Sequence, residues 1–425
     1  MATPQAKRPR RRVFAHTGPG TPHVNGDERG STVRIAIVSG DDIVGDDPQQ
    51  LSAALTARGH EVTRFVRHNG RRAAGTSADG RTVSVGAGPR AAKSVPDVLP
   101  YVGDWAAALA GQWAAEPPDV VHAYGWLGGL AAQLAARRQA VPTVQTFLGL
   151  AAPNRADAAG GAPQEEGERL RIEPLLARSA TWVTGESSDD VEALSRLRRG
   201  RARVSALTSG VDVERFNSSG PAPARTDLQR VLCLAPNPLP HNGFDIAIDA
   251  LRRVPATELV VAETAATNRA HDDARARLHH LAARLGVDDR VRFAGTVAGD
   301  ELPMLLRSAD VVACTPRRPP RATAVLQAMA SGVVVAAFRA GVLKDAVVDN
   351  VTGLLVSPES SVGLSAALRS ILPQSFQCES MGAAGRSRAV SRYAWDRIAL
   401  DTLNIYRQVA APRRTPARLQ SSGVR

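Results

Sequence analysis

Residues 310–358 constrain the fold more than any other stretch of the chain. An apolar run at 310–314 is followed by a Pro/Arg-rich loop, a helical segment at about 323–331, a turn at Gly332 and a second apolar run at 333–337. This order predicts a βαβ unit with short connections, the element from which doubly wound parallel sheets are built. Open α/β sheets bind ligands beyond the carboxyl ends of their strands. We therefore expect any phosphate chemistry at this loop and at the start of its helix.

The same alternation of strand and helix runs through most of the chain. It begins with the apolar strand of residues 33–40 and starts again at residues 230–235. A chain of 425 residues has room for two domains that each bury a core. We predict an α/β protein with a first Rossmann-like domain at 33–210 and a second at 211–395. A helix at 396–411 and disordered basic tails at 1–32 and 412–425 complete the organisation.

Composition narrows the classes of function. The formal charge is +12, but residues 1–12 and 412–425 carry nine basic groups and no acids, which leaves about +3 for the rest. We therefore expect no specific nucleic-acid partner, and only weak contact of the tails with anionic surfaces. Three widely spaced cysteines predict free thiols and no metal site. No apolar run has the length of a membrane span, so we expect a cytoplasmic protein.

Two motifs identify a family. The segments LQAMASGVVVAA (326–337) and DAVVDNVTGLLVSP (345–358) resemble the donor-site signature E-P-F-G-x-x-x-L-E-A-M-A-x-G-x-P-V-V-A of the retaining family-4 glycosyltransferases. The segment SGVDVERF (209–216) resembles that family's passage between domains. The resemblance covers nearly everything from Val33 to Val409 and is to a family that includes actinobacterial members.

This resemblance implies a fold and a reaction. The fold is GT-B, in which two Rossmann-like domains face a cleft, here with 33–210 on the acceptor side and 211–395 on the nucleotide-sugar side. The helix at 396–411 would return to brace the first domain. The reaction is transfer of a hexosyl group, with retention, from a nucleotide diphosphate sugar to a small acceptor. The family needs no metal or other cofactor, because protein cations hold the diphosphate.

The positions that carry the family's chemistry hold other residues in this chain. Pro319 and Gln327 stand where the signature has glutamates, and Leu148 stands where a first-domain histidine is common. If Gly243 aligns with the family glycine, Asn237 and Asn242 replace the Arg and Lys that hold the diphosphate. Amides hydrogen-bond a phosphate but do not neutralise it. The catalytic residues are therefore unknown from sequence, and we expect weak or absent transfer.

The first-domain candidates lie at two strand ends. In the loop GDDIVGDDPQQ, Gly40 and Gly45 match the family's glycine-rich loop, while Asp41, Asp42, Asp46 and Asp47 would repel an approaching anion. His122 ends a strand and is either a ligand contact or a buried structural histidine.

Three arginines keep a donor site possible. Arg317, Arg318 and Arg321 precede the helix that faces the donor in relatives, and they either rebuild an anion site or lie on a solvated rim. Gln327 would then accept from the donor ribose. Three functions remain open: hexosyl transfer, an inactive relative that binds a sugar or a protein partner, and polyanion binding through the arginine tails.

Overall fold

The fold is described from a computed structural model over residues 32–40, 45–67, 75–77, 80–89, 95–151, 163–297, 299–318 and 321–410. Apart from Thr32, the expected basic tails at 1–32 and 412–425 lie outside these residues, and so do Asp41, Asp42 and Pro319. Strands and helices alternate through the described ranges and form two sheets. None of the helices in these ranges is both long and apolar enough to cross a membrane.

The first sheet is nearly all parallel. Its strands in the described ranges are β1 (Arg34–Ser39), β2 (Glu61–Arg67), β3 (Gly75–Ser77), β4 (Gly80–Val85), β5 (Val120–Tyr124), β6 (Thr143–Phe147), β7 (Trp182–Gly185) and β8 (Val204–Ala206). They lie in the order β3-β4-β2-β1-β5-β6-β7-β8, and β3 alone among them is antiparallel to its neighbour. The order reverses between β1 and β5, which makes the loops after these strands the topological switch point.

Helices cover both faces of this sheet, as its almost fully buried strands β5 and β6 require. They are α1 (Asp47–Ala57), α2 (Val102–Ala115), α3 (Trp126–Gln139), α4 (Pro163–Ser179) and α5 (Ser188–Leu197). Helices α2 and α3 pack together, with Trp105 and Trp113 in the core of that face. A capping box starts α5, since Ser187 Oγ accepts from Asp190 N (3.1 Å) and the Asp190 carboxylate accepts from Ser187 N (3.0 Å).

The second sheet is all parallel. Its strands are β9 (Gln229–Ala235), β10 (Thr257–Glu263), β11 (Val291–Thr296), β12 (Val311–Cys314), β13 (Val334–Phe338) and β14 (Gly353–Val356), in the order β11-β10-β9-β12-β13-β14. The predicted βαβ unit is confirmed as β12, a helix at Thr323–Ala330 and β13, with Val311 beside Val334. The order reverses between β9 and β12. Cys233 and Cys314 are buried free thiols in these two strands, as the sequence indicated.

The remaining helices enclose the second sheet and return to the first. They are α6 (Phe244–Leu251), α7 (Asp272–Arg284), α8 (Glu301–Arg307), α9 (Thr323–Ala330), α10 (Gly341–Ala346), α11 (Ser361–Ile371), α12 (Ser375–Arg388) and α13 (Trp395–Val409). Leu403 and Tyr406 of α13 pack in one cluster with Ile35 of the first sheet. The expected domain boundary near residue 210 lies between β8 and β9, where Val211 N donates to Tyr393 O at 2.8 Å. The exact bounds of the two domains stay predictions.

Candidate functional site

The side chain of Arg321 connects the regions after the switch-point strands of the two sheets. The loop after β12 carries Arg321, and the loop after β1 leads into Asp47 in the first turn of α1. Arg321 Nη2 lies 2.5 Å from Asp47 Oδ2, so the loop of the second domain is joined directly to the first.

Four side chains form a polar group, which we call the interdomain cluster, in which three members are buried and Arg321 is half-buried: Asp47, Glu186, Ser209 and Arg321. Arg321 Nε lies 2.9 Å from Glu186 Oε2, and Arg321 Nη2 donates to Ser209 Oγ at 2.8 Å. Ser209 Oγ is also 2.5 Å from Asp47 Oδ2 and 2.7 Å from Glu186 Oε1. The carboxylate side chains are only 8% and 3% exposed, so water does little to solvate their charge.

Burial is the largest single influence on the pKa values of Glu186, Arg321 and the neighbouring Tyr124. It raises the pKa of Glu186, which Arg321 lowers and Asp47 raises further. Burial alone would lower the pKa of Arg321, but the charges of Glu186 and Asp47 outweigh it and raise that pKa. Tyr124, at the end of β5, has a pKa well above its usual value because it is buried and faces the two acids. Arg321 is therefore a permanent cation between two carboxyl groups.

The loop after β9 is closed by its own amides. Asn242 Nδ2 donates to the Asn237 carbonyl oxygen (2.9 Å) and to Asn237 Oδ1 (2.7 Å), and Asn237 Oδ1 also accepts from Leu239 N (3.1 Å). Gly243 follows with φ +75°, and a Cβ there would lie 1.7 Å from Thr315 O. The close approach of these two loops requires glycine. The amides at the expected diphosphate-binding positions thus serve the loop itself.

Arg317 and Arg318 differ in their surroundings. Arg317 forms a two-pronged ion pair with Asp245, with Nη1 to Oδ1 at 2.7 Å and Nη2 to Oδ2 at 2.6 Å, and it also donates to Pro240 O (2.7 Å). Arg318 is exposed. Arg321 is half-buried, with 24% of its side chain exposed, and it contacts the buried carboxylates of Asp47 and Glu186. The three arginines thus have different surroundings, and whether they form an anion site stays a prediction.

The first-domain candidates have structural surroundings. Gly45 (φ +107°) is exposed before α1, and the backbone of Gly40 packs so close to α3 that a Cβ on Gly128 would lie 3.0 Å from its nitrogen. His122 is fully buried, with Nδ1 at 2.7 Å from Tyr406 Oη and Nε2 at 2.7 Å from Thr146 Oγ1. Burial lowers the pKa of His122 to about 3. Both ring nitrogens are engaged by protein, which favours the structural alternative for His122.

The last candidates are apolar or neutral. Leu148 packs against the cluster of Ile35 and Tyr406, and Gln327 is half-buried on α9. No group of three or more metal-ligating side chains occurs in the part of the chain that the structure describes. Sequence reasoning missed Glu186, Ser209 and Asp245. A signal existed for Glu186, an acid placed directly after the apolar strand β7, and for Asp245, which lies just beyond Gly243.

Comparisons with known sequences agree along most of the chain. The family described as glycosyl transferases group 1 matches residues 224–388, and the glycosyl transferase 4-like domain matches residues 44–210. The D-inositol 3-phosphate glycosyltransferase of Xylanimonas cellulosilytica is 32% identical over 395 residues, covering 87% of this chain and 92% of the relative. That of Salinispora tropica is 31% identical over 321 residues, covering 70% of this chain and 65% of the relative.

Solved structures share the fold. Sucrose-phosphate synthase from Thermosynechococcus elongatus superposes with a TM-score of 0.74 at 22% identity, covering 88% of this chain and 98% of that one. An Anabaena protein, Alr3699/HepE, solved in complex with UDP and glucose, gives a TM-score of 0.68 at 18% identity, with coverage of 88% and 100%. These likenesses agree with the two parallel α/β sheets described above.

Proposed function

Because this chain belongs to the group 1 glycosyltransferases of GT-B fold, we propose that it is a member of that family in which hexosyl transfer is weak or absent. The reaction at issue is transfer from a nucleotide diphosphate sugar to a small acceptor, with retention. In place of that reaction, the protein would bind a sugar ligand or a protein partner. A cytoplasmic setting is part of this proposal.

One observation supports the proposal. Arg317 and Arg321, in the loop after β12, already form ion pairs with carboxylates. A diphosphate carries about two to three negative charges and is best held by cations in a partly dehydrated cleft. Arg317 would have to leave Asp245, and Arg321 would have to leave Asp47 and Glu186. Each exchange would leave a carboxylate unpaired beside the incoming anion, so little net free energy remains for binding.

The side-chain amides of Asn237 and Asn242 lower the expected affinity for the donor further. Asn237 and Asn242 bond each other, so a phosphate would have to break their contact as well as do without their charge. Hydrogen bonds to a charged group contribute roughly 1.5–3 kcal/mol each. Losing two such contacts lowers donor affinity by at least about tenfold for each one.

Calorimetric titration tests the proposal. The full chain should give no measurable binding of UDP, GDP, ADP or their sugars below millimolar concentration at moderate salt. The variant Asn237→Arg/Asn242→Lys restores the family's cations and should bind at least about a hundredfold more tightly than the unmodified chain. A control, Gln112→Arg/Ala115→Lys, adds the same charge at exposed positions of α2. Micromolar binding by the unmodified chain would contradict the proposal.

A second candidate is active transfer onto an inositol phosphate. It is favoured by the relatives named D-inositol 3-phosphate glycosyltransferase, one of which matches over 92% of its length. The retained loop contact at Gly243 also preserves the backbone scaffold of the donor side. Incubation with D-inositol 3-phosphate and each nucleotide sugar distinguishes the two candidates, since product formation that depends on the chain would establish transfer.

A further inference from the structure

A cavity lies in the second domain between the loop after β9 and helix α7. Its volume is about 370 Å³, within the roughly 300–1,000 Å³ that is typical of small-molecule sites. One wall is the loop segment 238–240, and the other is a face of α7 that presents Ala274, Leu278 and Leu281. These three residues share that face because their spacing follows the helical period. The lining is therefore mostly apolar, as ligand cavities usually are.

The loop wall of this cavity is fixed by bonds within the protein. Leu239 N donates to Asn237 Oδ1 at 3.1 Å. Pro240 O accepts from Gly243 N (3.1 Å) and from Arg317 Nη1 (2.7 Å). The two prolines of the segment restrict its backbone further. A ligand would therefore meet a preformed wall, and its binding would order little of the chain.

Two arginines at this cavity are available to a ligand. Arg277 and Arg284 lie on α7 and line the cavity, and both are exposed. In the described part of the chain, neither side chain forms a hydrogen bond or an ion pair. Arg275 on the same helix differs, because it pairs with Glu263 at 2.7 Å and with Asp272 at 2.6 Å. An anion at the cavity would therefore meet cations without displacing a carboxylate of the protein.

The acid at this cavity is already neutralised. Asp245 is the one acidic residue among the described residues that line it. Its carboxylate is held by Arg317, with Oδ1 to Nη1 at 2.7 Å and Oδ2 to Nη2 at 2.6 Å. The charges of Arg277 and Arg284 are thus not balanced within the lining. The cavity therefore favours an anion over a neutral molecule of the same shape.

A cavity in the first domain has the opposite arrangement. It measures about 250 Å³ and is lined by Arg34 and Arg81 among other residues. Arg34 pairs with Asp119 at 3.4 Å, and Arg81 pairs with Glu116 at 2.5 Å. An anion there would have to replace a carboxylate of the protein. We therefore expect no preference for anions at the first-domain cavity.

We propose that the cavity between the loop after β9 and α7 binds a small amphiphilic anion, in which an apolar chain or ring carries one carboxylate. The apolar body lies between the segment 238–240 and Leu278, and the carboxylate pairs with Arg277 or Arg284. A guanidinium matches a carboxylate through two parallel N–H···O bonds. The site shares no residue with the interdomain cluster, so binding here does not depend on hexosyl transfer.

Titration of the full chain with octanoate and with octanol tests the proposal. The two probes have the same apolar chain, and only octanoate carries a charge. Methyl signals of Leu239, Leu278 and Leu281, followed by NMR in leucine-labelled protein, should shift and saturate with octanoate. In Arg277→Gln/Arg284→Gln, the ratio of octanoate affinity to octanol affinity should fall by about tenfold.

Two further variants separate charge from apolar contact. Arg137→Gln/Arg138→Gln removes the same charge from exposed positions of α3 and should leave the ratio unchanged. Leu281→Gln keeps both cations of the cavity and should weaken the binding of both probes by a similar factor. Saturable shifts confined to other leucines, or no saturation at the cavity leucines, would overturn the proposal. An unchanged ratio in Arg277→Gln/Arg284→Gln would overturn it as well.

Discussion

Arg317 and Arg321 leave the same loop, and both end on carboxylates, but they stabilise different things. Arg317 pairs with Asp245 inside the second domain, where the two side chains are 28% and 33% exposed. The Arg321 side chain is 24% exposed, but its partners Asp47 and Glu186 of the first domain are only 8% and 3% exposed. The first pair fixes one loop to a neighbouring helix, and the second fixes one domain to the other.

The difference shows that burial, rather than the identity of the ion pair, determines its consequence. A partly exposed pair is screened by water and contributes up to about 1 kcal/mol. Removing one partner of a buried pair leaves an uncompensated charge and costs about 3–5 kcal/mol. Arg317 and Arg321 are close together in the sequence, but replacing each by alanine should lower the free energy of unfolding by very different amounts.

The largest expected effect is that of Arg321→Ala. It leaves Asp47 and Glu186 buried without their cation and should lower the free energy of unfolding by about 3–5 kcal/mol. Denaturant unfolding measures this value, and Arg317→Ala is the matched control, for which we expect about 1 kcal/mol or less. Equal losses in the two variants would show that the cluster is not buried as described.

A compensating variant identifies the cause of that loss. Arg321→Ala/Asp47→Asn/Glu186→Gln removes the cation together with both charges, so most of the stability lost in Arg321→Ala should return. If the triple variant is instead as unstable as the single one, lost packing rather than an unpaired charge explains the effect.

The sequence predicted the strands and the helix around Arg317 and Arg321 well. The βαβ unit at 310–358 was recognisable because apolar runs, a glycine turn and short loops agree at every level, and β12, α9 and β13 follow them within about one residue. Gly243 was singled out by its match to the family glycine. The structure gives it a positive φ and a close approach to Thr315, and both of these require glycine.

The contacts that the site side chains make could not be predicted from the sequence. Arg321 and Glu186 are far apart in the sequence, and nothing local distinguishes a buried arginine from one on a solvated rim. The pairing depends on how two domains meet, which periodicity does not encode. His122 shows the same limit, because its partner Tyr406 comes from the last helix of the described chain.

Low pH extends the comparison to His122, a group that burial keeps neutral. Burial lowers the pKa of His122 to about 3, whereas an unfolded histidine titrates near 6.5. The stability due to a neutral His122 is present above about pH 6.5 and declines as the pH falls toward 3. At about pH 5.5 the loss should be about 1.4 kcal/mol relative to about pH 7.5, measured by denaturant unfolding at both values.

The variant His122→Gln assigns that loss. It removes the titrating ring, so the difference in stability between the two pH values should shrink by about the same 1.4 kcal/mol. His60 and His241, whose pKa values burial also lowers, act in the same direction and leave a smaller residual slope. An unchanged slope in His122→Gln would mean that His122 is not held neutral.

The smallest expected effect is the coupling between Arg317 and Asp245. A double-mutant cycle with Arg317→Ala, Asp245→Ala and the double variant should give an interaction free energy of about 0.5–1 kcal/mol, the upper end for exposed pairs because the contact is two-pronged. High salt should reduce this coupling, since both side chains reach solvent, while it leaves the effect of Arg321→Ala nearly unchanged. A coupling as large as the loss in Arg321→Ala would remove the distinction between the two arginines. A small, salt-sensitive coupling would instead agree with a partly exposed pair that adds little to the free energy of unfolding.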